Sequence, residues 1–211
     1  MSKKRNIDDR KKEIIVAALK IISDRGFEGM TIDAIAEKAG CSHGIINYYF
    51  KSKKKLIVES FRFFLEYYNL KIKEDIVPGM NEQKILRVIV KHALPERSET
   101  KDHKGKEFIL SYKMKTNLFI QFFSQARYDL ELEEVFKEIY YKQFYNTISL
   151  IESGSRNGRF KKIDAALFAF GFLALIIGLS NFRTLDFFPE EIENDKKVME
   201  FYIKSILNIQ K

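Results

Sequence analysis

Helix breakers are scarce in this chain. Three prolines, Pro78, Pro95 and Pro189, and ten glycines are spread over 211 residues. Between them the apolar residues recur every three or four positions rather than every two. That period predicts an all-α fold of about nine helices. The first should run from about Asp8 to Arg25, with Ile14, Ala17, Ala18, Ile21 and Ile22 on one face and Gly26 in the left-handed stop position. Thr31 is placed to cap "IDAIAEKA", Gly40 to end it, Ser42 to cap "HGIINYY", and Ser52 to cap a long helix reaching Asp75. Breaks at 77–81, 95–107, 154–159 and 186–191 leave helices near 82–94, 107–126, 130–153, 163–185 and 190–209.

Charge is unevenly distributed along these helices. Residues 1–56 hold 13 Lys or Arg against seven Asp or Glu, whereas the remainder holds 24 against 22. A basic N-terminal quarter favours a polyanionic partner or an acidic surface. Cys41 is the sole cysteine, so no intrachain disulfide can form. The opening "MSKKRNIDDRKKE" lacks the apolar core of a secretion signal, and a cytoplasmic location is expected.

The spacing within residues 31–50 is that of a helix-turn-helix. Ala36 is small where two helices cross, and Gly40 permits the positive φ of the turn. Ile35, Ala39, Cys41 and Ile46 fall where the unit needs buried contacts. His43, Gly44, Asn47 and Tyr48 are then left on the outer side of the third helix, the surface that enters a major groove in such a unit. Thr31 and Ser42 put hydroxyls and backbone N–H groups at two helix N-termini, where phosphate oxygens are favoured. The lysines at 51, 53, 54 and 55 crowd the start of the fourth helix, the unfavourable end for cations unless an anion is supplied. Lys3, Lys4 and Arg5 form a basic arm suited to tracking a nucleic-acid backbone.

The stretch "TIDAIAEKAGCSHGIINYYFKSKKKL", Thr31 to Leu56, resembles the DNA-binding signature of the TetR/AcrR family of bacterial transcriptional regulators. The likeness rests on Thr31, the Ile35-Ala36 pair, Ala39-Gly40, Ser42, Gly44, the aromatic pair before Phe50, and Lys53 followed by Leu56. Asn47 stands where many members carry tyrosine, a variation that resembles the betaine-pathway, BetI-like branch. The resemblance implies a DNA-binding domain over residues 1–51 and a regulatory, ligand-binding and dimerisation domain over 52–211. It implies that Thr31, Ser42, His43, Gly44, Asn47, Tyr48 and Lys53 face double-stranded operator DNA, with Lys53 on the backbone.

The second part is too aromatic for a spacer. Phe61, Phe64 and Tyr68 recur on the fourth helix, Phe119, Phe122 and Phe123 on the sixth, and Phe136, Tyr140 and Phe144 on the seventh. Given the resemblance, Phe64, Tyr68, His92, Phe122, Gln125, Tyr140 and Phe144 are the candidates to contact a small-molecule effector of unknown identity. An aromatic cage also suits a quaternary ammonium group.

Ala165 to Phe182 is eighteen residues without a charge, at the lower limit for crossing a membrane. Helices apolar all round are also buried in water-soluble proteins, so no membrane partner is expected. Gly171, Ala174 and Gly178 form a small-residue stripe, and Met199, Ile203 and Ile206 an apolar seam. The resemblance implies that these two helices form a homodimer interface, holding two reading heads about 34–36 Å apart. The expectation is a ligand-responsive repressor. The alternative is a membrane-surface or protein-interaction module. No metal-spaced His or Cys set, phosphate-binding glycine loop or nucleophile elbow occurs, so no catalytic residue, metal or cofactor is expected.

Overall fold

The computed structural model describes residues 7–94, 112–185, 187–190, 192 and 194–207. These residues form nine helices and no strand: α1 (Ile7–Arg25), α2 (Ile32–Ala39), α3 (His43–Phe50), α4 (Lys53–Asp75), α5 (Glu82–Ala93), α6 (Tyr112–Ala126), α7 (Leu130–Arg156), α8 (Ala165–Thr184) and α9 (Asp195–Leu207). The all-helical reading is borne out. The basic arm at residues 3–5 and the expected start of α6 at 107–111 lie outside the described residues.

Two ends differ from expectation. Helix α7 continues past 153 because Gly154 is a helical contact point and not a stop. A Cβ there would lie 2.1 Å from Cδ2 of Phe160. The backbone N–H groups of Arg159 and Phe160 both donate to the Gly154 carbonyl, at 2.9 and 3.1 Å, and Gly158, with φ +68°, makes the actual turn. Helix α9 starts at Asp195, later than the pattern implied, because Asn194 is its cap: Oδ1 accepts from the Lys197 N–H at 2.9 Å.

Two compact units emerge, Met1–Tyr67 with Asp102–Phe136 and Tyr68–Lys101 with Lys137–Lys211. Helices α4 and α7 each begin in the first and end in the second. In the first unit, Ile14, Ala17, Ala18, Ile21 and Ile22 are buried, as the α1 pattern predicts, and Ile15 and Leu19 are buried as well. Ile15 lies beside Glu59, Arg62 and Phe63 of α4, and α6 also packs along α1. Phe122 of α6 lies edge-on to Phe27, just past the end of α1, at 5.3 Å and stacks on Phe61 of α4 at 4.4 Å. Each such ring pair adds roughly 0.5–1.5 kcal/mol beyond area burial. Asn117 of α6 donates to the Ser23 carbonyl near the end of α1, at 3.2 Å.

The second unit is built on a core containing Leu86 and Val90 of α5, Phe168, Phe172 and Leu179 of α8, and Met199, Ile203 and Leu207 of α9. Two polar clusters lock its helix ends. Arg183 pairs with the buried Asp195 and donates to the Leu94 carbonyl at 3.3 Å. Glu82 accepts from Ser153 at 2.7 Å, Asn157 at 2.9 Å and Arg159 at 2.7 Å. Burial alone pushes the Glu82 carboxyl up. Hydrogen bonds from Ser153, its own backbone N–H, Asn157 and Arg159 outweigh it and hold the group at about 2.

Candidate nucleic-acid interface

The helix-turn-helix is assembled by caps and a narrow apolar seam. Thr31 is extended (φ −96°, ψ 158°), and its Oγ1 accepts from the Ala34 N–H at 3.1 Å. Gly40 closes α2 with φ +59°. Ser42 opens α3, its Oγ accepting from the Ile45 N–H at 3.4 Å. Ile35, Ala36, Ile46 and Phe50 are buried. Ala39 and Cys41, expected in that seam, are only half-buried, because they flank a turn whose Gly40 leaves open space on its outer side.

With Ile46 and Phe50 turned inward, the helical period brings His43, Gly44, Asn47 and Tyr48 onto the exposed side of α3. Tyr48 is 74% exposed and sits edge-on to Tyr49 at 5.2 Å. His43 Nε2 lies 2.8 Å from Asp33 Oδ1, tying the start of α3 to the start of α2. Lys51 then takes a left-handed conformation (φ +56°), and Ser52 caps α4 by accepting from the Lys55 N–H at 3.1 Å. Thr31, Ser42 and Lys53 are all exposed at helix starts or beside them.

The lysine cluster is not uniform. Lys54 lies 2.9 Å from Glu131 and 3.6 Å from Asp129, at the α6–α7 turn. The Glu131 hydrogen bond raises the Lys54 ammonium above the ordinary lysine value, with desolvation working against it. Part of the anion that this helix start requires is therefore internal. Nothing in the local sequence pointed to carboxylates more than seventy residues away.

The aromatic candidates fall into separate surroundings. In the first unit, Phe64 and Phe122 are buried with rings 6.3 Å apart, and Gln125 is half-buried, its carbonyl accepting from the Tyr128 N–H. In the second, burial pushes the phenols of Tyr68 and Tyr140 above the ordinary tyrosine value, the neighbouring Tyr68 adding to the effect on Tyr140. His92 Nε2 sits 3.0 Å from Asp75 Oδ2, which also meets Lys91. Those bonds hold the Asp75 carboxyl below its usual value. Phe144 packs edge-on to Tyr145 at 5.4 Å.

On α8, Gly171 receives Tyr202 of α9, whose hydroxyl donates to the Phe168 carbonyl at 3.2 Å; a Cβ on Gly171 would meet that hydroxyl at 2.5 Å. Met199 and Ile203 are buried in the chain's own core, and Ile206 packs against it. Ala174 is exposed, and nothing lies within 4 Å of a Cβ built on Gly178. Leu167, Phe170 and Phe201 are also exposed. By length and composition α8 could cross a membrane, with a mean hydropathy of 2.1.

Comparison with known proteins agrees with this layout. The model of bacterial regulatory proteins of the tetR family matches residues 14–59. The HTH-type transcriptional regulator BetI of Proteus mirabilis is 29% identical over 206 residues, 95% of this chain and 92% of that one. Among solved structures, a protein assigned as a transcriptional regulator of Saccharomonospora viridis, in complex with choline, superimposes with a TM-score of 0.82. It is 19% identical and covers 97% of this chain and 100% of its own. AibR, in complex with isovaleryl coenzyme A and operator DNA, has a TM-score of 0.65 at 17% identity, covering 95% of this chain and 100% of its own. With the matched segment lying on the helix-turn-helix just described, residues 14–59 carry the DNA-binding segment of bacterial regulatory proteins of the tetR family, and the chain is similar over nearly its whole length to a transcriptional regulator.

Proposed function

We propose that this regulator is a cytoplasmic, ligand-responsive repressor that binds a palindromic operator as a homodimer and is released by a small molecule. The observation that carries the reading is the face of α3. His43, Gly44, Asn47 and Tyr48 stand exposed together on α3, with Thr31 capping α2, Ser42 capping α3 itself and Lys53 opening α4. His43 and Asn47 read base edges; Thr31, Ser42, Tyr48 and Lys53 hold phosphates, and Gly44 lets the backbone approach closely. The exposed side of α8 and α9, with Leu167, Phe170, Ala174 and Phe201, packs on a second copy, while Met199 and Ile203 hold α9 in place beneath it.

The effector contacts proposed in the second unit are Tyr68, His92, Tyr140 and Phe144. The other three candidate contacts, Phe64, Phe122 and Gln125, lie in the first unit. Choline, bound by the Saccharomonospora viridis protein, is the first compound to try, since aromatic rings attract quaternary ammonium groups. Helix α4 begins at the DNA-facing lysines and ends in the second unit, so it can transmit the change. Only a ligand that binds the two arrangements unequally releases DNA.

The test is binding to the gene's own upstream DNA and to random DNA across a salt series. Tighter upstream binding with a steep slope is expected. Lys53→Ala should weaken binding to every sequence and reduce the slope by about one. His43→Ala should change the ranking of operator variants. Equal affinity for both DNAs at every salt concentration would refute sequence-specific regulation.

A further inference from the structure

Helix α3 is eight residues long, well short of the length at which a helix holds itself. Two of its side chains, Ile46 and Phe50, are buried. The turn before it offers little packing, since nothing lies within 4 Å of the position a Cβ would take on Gly40. The His43–Asp33 pair ties the start of α3 to α2, and a second anchor reaches the turn from α1. Arg10, in the early turns of α1, supplies it. Its Nη1 donates to the Ala39 carbonyl at 3.1 Å and its Nη2 to the Gly40 carbonyl at 2.6 Å, while Glu13 holds Nη1 from the other side at 2.5 Å.

These carbonyls belong to the C-terminal end of α2, where backbone acceptors lack helical partners and the helix dipole favours a cation. The guanidinium is well suited to the task. It presents several N–H donors in one rigid plane, so it can bridge two successive carbonyls and a carboxylate together; an ammonium is a point donor. The Arg10 side chain is only 14% exposed, so its donors are turned into the protein and not towards a phosphate. Gly40 lies two residues before the Ser42 cap, so holding its carbonyl fixes the origin of α3.

We propose that Arg10 is a positioning residue for DNA reading: it clamps the Ala39–Gly40 turn to α1 and thereby sets the direction of α3, without touching DNA. The proposal rests on the reading that α3 faces the operator, and two measurements on the full-length protein separate the two ideas. The first is amide hydrogen exchange without DNA. In Arg10→Met, the N–H groups of Cys41, Ile45 and Ile46, bonded to Ala36 and Ser42, should exchange faster, while those of α4 between Leu56 and Leu65 keep their protection. Unchanged exchange at the turn would overturn the clamp.

The second is operator affinity across a salt series. Arg10→Met should bind about tenfold more weakly, the scale of losing charge-assisted hydrogen bonds, with the slope of the unsubstituted protein. Arg10→Lys, which keeps the charge but not the fork, should fall between the two. A slope reduced by about one would make Arg10 a phosphate contact instead, and full affinity in Arg10→Lys would reduce its role to net charge; either overturns the proposal. Faster exchange at the turn with no specific DNA binding by the unsubstituted protein would overturn the operator reading while the clamp itself stands.

Discussion

Single residues in this protein act mostly by ending or joining helices. Glu82 shows how much one carboxylate can hold: as the first residue of α5 it gathers Ser153, Asn157 and Arg159 from the end of α7 and the turn beyond. Its folded value of about 2 lies below the reference of 4.5. A depressed carboxyl stabilises the fold in full above the unfolded value, and that contribution is lost as pH falls through the folded one. Glu82→Gln should therefore cost about 1.5–3 kcal/mol at pH 7, the range for hydrogen bonds to a charged group. The gap to the unsubstituted protein should close between about pH 4.5 and 2, as read by urea denaturation at several pH values. A gap that does not change with pH would mean that the carboxylate charge is not what holds the cluster.

Among the elements, the start of α4 carries the sharpest conflict. Four lysines at 51, 53, 54 and 55 crowd a helix N-terminus that disfavours them. One, Lys54, is answered internally by Asp129 and Glu131 of the α6–α7 turn. The pairing ties the start of α4 to the turn after α6 and the first turn of α7, and α6 itself packs along α1. Removing both carboxylates, as Asp129→Asn with Glu131→Gln, should free Lys54 for phosphate. Affinity for random DNA should then rise several-fold at low salt, with the salt slope steepened by about one. Fluorescence anisotropy with labelled random duplex measures both, and an unchanged slope would show that Lys54 does not reach the backbone even when released. The surface exposure of the pair limits its contribution to stability, so the melting temperature should barely move.

For the whole molecule, the open question is what covers the apolar surface of α8 and α9. Phe170 is 69% exposed and Phe201 74%, beside a helix whose inner face already fills the core of its own chain. Phe170→Asp should leave the fold intact, because the side chain is outside that core. It should convert a dimer to a monomer in sedimentation velocity and lower operator affinity by at least tenfold, since one reading head replaces two. An unsubstituted protein that sediments as a monomer at micromolar concentration would exclude the proposed interface. The sequence by itself determined the helical class, the caps at Thr31, Ser42 and Ser52, the left-handed stops at Gly26 and Gly40, and the exposed side of α3. These are local properties, set by the 3.6-residue period and by backbone preferences within a few positions of one another. Tertiary structure decided what depends on residues far apart in the chain. It gave Lys54 to Asp129 and Glu131, buried Met199 and Ile203 inside their own unit, and turned Gly154 from a stop into a seat for Phe160. It also placed Arg10 on carbonyls about thirty residues away, because side-chain partners are chosen by packing in three dimensions, which no local period records.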